Sequence, residues 1–169
     1  MMAETLVLEK KKISTLVFVG FLAIAIVAPL FLKTQFLSGP LVNAVLFIVT
    51  IMLGLRYGIL VSLIPSGLAL AIGLLPMVIA PMIPIIILGN MLMVISCNYL
   101  KTKNYWLMIV FSSIVKFVFI YVVFQIVFQN ILDANLSNVI SSMVGINQLY
   151  TALLGGALAF LFLKKYKKI

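Results

Sequence analysis

The stretch GLRYGIL, Gly54 to Leu60, holds the only arginine of a 169-residue chain that is otherwise mostly Leu, Ile, Val, Phe and Met. A lone guanidinium in the middle of a bilayer costs several kcal/mol, so Arg56 is either buried and paired or placed in a tight turn at a membrane surface. The choice sets the topology of the chain. Gly54 and Gly58 flank the charge and supply the conformational freedom of a tight turn, and apolar runs lie on both sides. The reading adopted is a short turn at the inner face, with the Arg56 charge among the headgroups. Contact with an acidic partner at that face is its functional alternative.

Composition requires the membrane. Hydrophobic residues make up 65% of the chain and charged residues 9%, against about 45–50% and about 25% in soluble proteins. The net charge of +9 comes from short basic clusters between apolar runs, the pattern of cytoplasmic loops rather than of a nucleic-acid-binding face. No nucleic acid is expected as a partner; the lipid bilayer is.

Six apolar runs follow, at about 13–33, 40–54, 58–75, 82–100, 105–129 and 143–163, with SGP (Ser38–Pro40), GLRYG, Pro76 and APMIP (Ala80–Pro84) marking breaks. The first run is too long for the core of a cleaved signal peptide and reads as a retained helix. The fold class expected is an all-α integral membrane protein, one domain over 1–169. With the N-terminus inside, Lys10, Lys11, Lys12, Arg56, Lys101, Lys103, Lys164, Lys165, Lys167 and Lys168 are cytoplasmic, and Lys33 alone is outside. That bias predicts six spans with both termini cytoplasmic. Tyr57, Tyr99, Tyr105, Trp106 and Tyr166 fall at the same inner boundary, where interfacial aromatics belong.

Several chemistries have no carriers here. Histidine is absent, Cys97 is the one cysteine, and the carboxylates Glu4, Glu9 and Asp133 fall outside the spans. A proton relay, a metal cluster, a catalytic acid–base pair and a phosphate-binding loop are all missing, so neither catalysis nor a cofactor is expected.

Within the spans, Lys116 is the strongest signal. Eleven residues beyond Tyr105, it lies about 16 Å deep, near the middle of a ~30 Å core. It reads either as a functional group facing the bundle interior or as a structural lysine bonded to carbonyls or to Ser112 and Ser113. Asn90 lies at similar depth and reads as ligand contact or helix glue. Toward the outer side gather Asn43, Gln125, Gln129, Asn147 and Gln148, with Thr34 and Gln35. Tyr121, Gln125 and Gln129 share a helix face, and Lys116 and Gln125 fall on opposite faces. An outward pocket and ordinary helix-end polarity both fit this set. Small residues at Ala152/Gly156 and Gly155/Ala159, and less regularly at Gly20, Ala23, Ala25 and Ala28, permit close helix approach, within the chain or to a partner.

With these residues in hand, the chain resembles the small S-components of energy-coupling factor (ECF) transporters. FLKTQFLSGPLVNAVLFIVTIMLGLRYGILVSL (Phe31–Leu63) looks like that family's first outer loop, second helix, inner turn and third helix. APMIPIIILGN (Ala80–Asn90) and NQLYTALLGGALAFL (Asn147–Leu161) look like its fourth and sixth helices. The resemblance implies a subunit that captures a vitamin or similar micronutrient outside the cell membrane, in a prokaryote. The subunit then docks on a transmembrane T-component driven by two cytoplasmic ATPases. It implies a pocket at Asn90, Lys116, Tyr121, Gln125, Asn147 and Gln148, to which the outer polar set adds Asn43. Docking falls to Ala23, Ala25, Ala28, Arg56, Gly155 and Gly156. The family's Ala-x-x-x-Ala docking pair is not present as such, since Val27 follows Ala23, and the lack of histidine argues against a metal substrate. A flat heteroaromatic or carboxylate-bearing molecule suits the lining. A passive small-solute channel, a ligand-free assembly subunit and an intramembrane enzyme are the rival readings.

Overall fold

The computed structural model describes residues 2–32, 35–71, 73, 77–128, 140–141 and 144–166. Lys33, Thr34, Pro76, Gln129, Asp133, Lys167 and Lys168 lie outside the described residues, as do the side chains of residues 2–13 and of Gln35. Among those described, every regular element is helical: α1 (Met2–Leu32), α2 (Gln35–Leu53), α3 (Leu55–Ala71), α4 (Ile83–Leu100), α5 (Tyr105–Val123) and α6 (Ile146–Lys165). A 3-10 helix, Met77–Met82, leads into α4, and a π-helical turn, Phe124–Phe128, continues α5. Five segments are long and apolar enough to cross a membrane: Ser14–Leu32, Phe36–Leu53, Ala80–Leu100, Tyr105–Val127 and Ile146–Lys165. The third helix supplies a shorter apolar stretch, Leu55–Leu68. This is the build of a multi-pass membrane protein.

The turn that carries Arg56 is tighter than its sequence suggests. Gly54 alone separates α2 from α3; its φ is +96°, a conformation that side chains disfavour, and its N–H donates to the Thr50 carbonyl at 3.1 Å. Arg56 is exposed in the first turn of α3. Gly58 meets the turn only through its backbone, its N–H donating to the Gly54 carbonyl at 3.2 Å. It is helical, and a Cβ there would collide with the Thr50 side chain and come within 2.7 Å of Val94 Cγ1, so its role is to bring α3 against α2 and α4.

SGP is likewise no break. The second helix begins at Gln35 and runs through Gly39 and Pro40. A proline this early forfeits one backbone hydrogen bond, and the helix continues past it. A Cβ on Gly39 would lie 2.8 Å from Thr151 Cγ2, so the glycine admits α6.

The second helix is the centre of the bundle. It packs against α1, α3, α4 and α6, and Asn43 to Thr50 are buried without interruption. Lipid is as apolar as leucine, so contact quality rather than water exclusion holds such helices together. The closest seam is α2 with α6. A Cβ on Gly155 would come within 2.6 Å of Asn43 Cβ and 2.8 Å of the Pro40 oxygen. Gly156 meets Ile109 of α5 in the same manner, and its carbonyl accepts a hydrogen bond from the Tyr105 hydroxyl at 2.8 Å. The first helix is peripheral: 6% of its apolar window is buried, against 50% for α2.

Between α4 and α5, Asn104 caps the fifth helix, its Oδ1 accepting from the backbone N–H groups of Trp106 (3.0 Å) and Leu107 (3.3 Å). Tyr105, Trp106 and Phe160 stack at this end, and the Lys164 ammonium lies 5.8 Å from the centre of the Phe160 ring.

Candidate functional site

Two apolar clusters fill the interior: α4 and α5 pass from one to the other, α6 starts just after Val144 of the smaller and continues into the larger, and α2 lies in the larger alone. The larger contains Ala44–Val49, Met93, Cys97, Met108, Ile109, Ala152 and Ala159; the smaller contains Met82, Ile86, Ile120, Phe124, Ile140 and Val144. On each helix the residues at the changeover are polar. In α4 it is Asn90, between Ile86 and Met93. In α5 it is Ser112, Ser113 and Lys116, between Ile109 and Ile120. In α6 it is Gln148 and Thr151, between Val144 and Ala152, and in α2 it is Asn43, next to Ala44. All seven side chains are buried, Lys116 with only 3% of its surface exposed.

Lys116 organises this layer. Its stem passes Gly89 of α4, where a Cβ would lie 3.7 Å from Lys116 Cγ. Its Nζ donates to Asn43 Oδ1 at 2.7 Å, a bond between residues 73 positions apart. The other end of the Asn43 amide is also held: Nδ2 donates to Thr151 Oγ1 at 3.3 Å, and that hydroxyl donates to the Gln148 carbonyl at 3.2 Å. Because Nδ2 is occupied by Thr151, the Asn43 oxygen is the end that faces the ammonium.

The rest of the layer is less settled. Asn90 Oδ1, Ser112 Oγ and Ser113 Oγ are buried with no hydrogen-bond partner among the described residues. Buried helix hydroxyls commonly bond the carbonyl a turn back. Thr50 does so to Leu46 at 2.6 Å, and Ser62 to Ile59 at 2.7 Å. Ser112 and Ser113 do not. Unspent polar atoms in a low-dielectric interior are costly, which makes their grouping beside a lysine the chemically notable feature of the molecule.

The structure thus brings together Asn43, Asn90, Lys116 and Gln148 of the candidate pocket. It adds Thr151, which sequence reading passed over inside a run of small residues; its spacing of three from Gln148 on one helix was the available signal. Asn147 is half-buried beside the layer. Tyr121 is 38% exposed on the outside of the bundle, and its hydroxyl accepts from Gln125 Nε2 at 2.7 Å. These two pair with each other rather than with Lys116; Gln125 Oε1 is buried without a partner. Of the candidate docking residues, Ala23 and Arg56 are exposed. Ala25 and Ala28 are buried, and Gly155 and Gly156 are consumed in contacts with α2 and α5, so these four serve packing within the chain. Among the described residues no group of three His, Cys, Asp or Glu is placed to hold a metal ion.

Chemically, the layer offers a lysine nitrogen and two unpartnered hydroxyls from α5 and an amide oxygen from α4. No protein-family model, curated protein or solved structure matches the chain.

Proposed function

We propose that this chain is the substrate-binding membrane subunit of an ECF-type importer. It captures a vitamin-like small organic molecule from outside the plasma membrane of a prokaryotic cell. The observation that carries the reading is the buried Lys116, with the unpartnered Asn90, Ser112 and Ser113 atoms beside it, between two apolar clusters. An intramembrane ionisable residue facing the bundle interior is a functional site by default. In this reading the chain crosses the membrane six times with both termini cytoplasmic, α3 being the short span, as the distribution of lysines favours. The energy comes from partners, a transmembrane T-component and two cytoplasmic ATPases, and the chain itself is no enzyme. The exposed face of α1, with Ala23, and the Arg56 turn are the surfaces left for docking.

The test is to purify the chain alone in detergent and to look for a co-purifying small molecule by native mass spectrometry. A vitamin panel scored by thermal shift, with Lys116→Ala alongside, completes it. A vitamin-sized ligand at one-to-one ratio, weakened in the variant, is expected. No bound molecule and no thermal shift across the panel would replace this reading with that of a ligand-free assembly subunit. One observation favours that second reading: Lys116 already has a partner within the chain, Asn43. A continuous pore is disfavoured, because apolar clusters border the polar layer on both sides.

A further inference from the structure

Resting on that reading, we infer that the bound molecule is a monocarboxylate and that Lys116, turning from Asn43 Oδ1, anchors its carboxylate. The argument is a count of donors, acceptors and charge. A lysine ammonium has three N–H donors and no acceptor. One donor is spent on Asn43 Oδ1, at 2.7 Å; among the described residues Lys116 has no other hydrogen-bond partner. Ser112 and Ser113 add two hydroxyls able to donate. The acceptors left beside them, Asn90 Oδ1 and the lone pairs of the same two hydroxyls, are all neutral.

A protonated Lys116 therefore has no negative partner among the described residues of the layer, and a neutral amide oxygen is its single acceptor. A carboxylate supplies what is short: one negative charge and two oxygens with about four acceptor sites. Phosphate fits less well. At neutral pH it carries up to about two charges, and one ammonium with no arginine in the layer leaves part of that uncompensated. A neutral ligand would give a protonated Lys116 no counter-charge, so only an anion gains from the charged form of the side chain.

Asn43 is built to be displaced from the ammonium and not from the fold. Its Nδ2 is tied to Thr151, and Thr151 to Gln148, so the amide stays in place when the ammonium turns to a better acceptor. Asn90 Oδ1 remains to accept a hydrogen bond from an N–H or O–H elsewhere on the same ligand.

The experiment uses the full chain in detergent and matched pairs of probes that differ in the acid group: nicotinate and nicotinamide, pantothenate and pantothenol, biotin and its methyl ester. Any molecule released from the purified chain is also identified by mass spectrometry. Affinities are measured for the parent chain, Lys116→Met, Lys116→Arg, Asn43→Asp and Asp133→Asn. The acid form of at least one probe or of the released molecule is expected to bind about 10- to 100-fold tighter than its neutral counterpart. Lys116→Met erases that preference, and Lys116→Arg keeps it in part. Asn43→Asp places a carboxylate against Lys116, so it raises the melting midpoint of the ligand-free chain and abolishes acid binding. Asp133→Asn, altering the one carboxylate of the sequence beyond α1, leaves binding unchanged.

A neutral released molecule, equal binding of acid and neutral forms, or acid binding that survives Asn43→Asp would overturn the inference while leaving the importer reading in place. So would loss of acid binding in Asp133→Asn, which would put the counter-charge inside the chain. No small-molecule binding at all would overturn both.

Discussion

Replacing Gly155 by alanine is expected to loosen the bundle at its tightest seam. The new Cβ would lie 2.6 Å from Asn43 Cβ, 2.8 Å from the Pro40 carbonyl oxygen and 2.9 Å from the Ala44 backbone nitrogen. Ordinary contact begins at 3.4 Å, so α6 must withdraw from α2 by about 0.8 Å. The obstructing atoms belong to the α2 backbone or its root and cannot rotate aside. Overpacking of this kind costs about 1–3 kcal/mol, here toward the upper end. Alanine's better helix propensity returns about 1 kcal/mol, leaving a net loss of about 2 kcal/mol. For a chain of this size that lowers the melting midpoint by about 4–8 °C. Cys97, the chain's single cysteine and fully buried, provides the assay: a fluorogenic thiol dye reacts with it as the bundle opens. Gly20→Ala and Gly67→Ala are the controls, since a Cβ at either meets nothing within 4 Å; both are expected to melt at or above the parent temperature. The same displacement stretches the Asn43–Thr151 bond. A Gly155→Ala midpoint equal to that of Gly20→Ala would refute the packing argument.

Gly54→Ala forces a side chain into φ +96° and is expected to cost about 1–2 kcal/mol, read as a lower midpoint in the same dye assay. Tyr105→Phe removes the hydroxyl that donates to the Gly156 carbonyl and should cost about 0.5–1.5 kcal/mol, with the aromatic stack on Phe160 kept. In a Cys97→Ala background, Arg56→Cys should react with a membrane-impermeant maleimide in inside-out vesicles and not in intact cells. Labelling from outside would reverse the proposed topology. The Asn43→Asp substitution described above is expected to raise the midpoint in the ligand-free chain, the reverse of what most buried Asn→Asp changes do.

Much of the helical layout was legible because a bilayer enforces it: each span needs a long apolar run, and the fourth and fifth runs begin within a residue of α4 and α5. Breaks were read less well. Gly39–Pro40 and Gly58 looked like punctuation and proved to be places where helices touch. Glycine and proline are common inside membrane helices, so in apolar surroundings the same letters carry both meanings. Lys116 was legible as a deep charge from its distance along one helix. Its partner was not: Asn43 belonged on sequence grounds to an outer set, and only the packing of α2 on α6, with the Lys116 side chain reaching across from α5, joins them. The π-helical turn at Phe124–Phe128 gave no signal, since a change from four- to five-residue hydrogen bonding is decided by packing.

The position of α2 bears on how the protein is made. The second helix leaves the ribosome early, yet the residues that hold its Asn43 belong to α5 and α6, and Thr151 is 108 residues further along. At about 5–20 residues per second, synthesis separates the two by roughly 5–20 s. During that interval Asn43 sits in lipid or in the insertion machinery with its amide unclaimed, and the face of α2 that Gly155 later meets has nothing to grip. The central helix is thus placed before the helices that secure it, and the bundle closes when α6 arrives. Substitutions along that seam should reduce yield in the membrane before they alter the finished protein, and a chain halted ahead of α6 should be a substrate for membrane quality control.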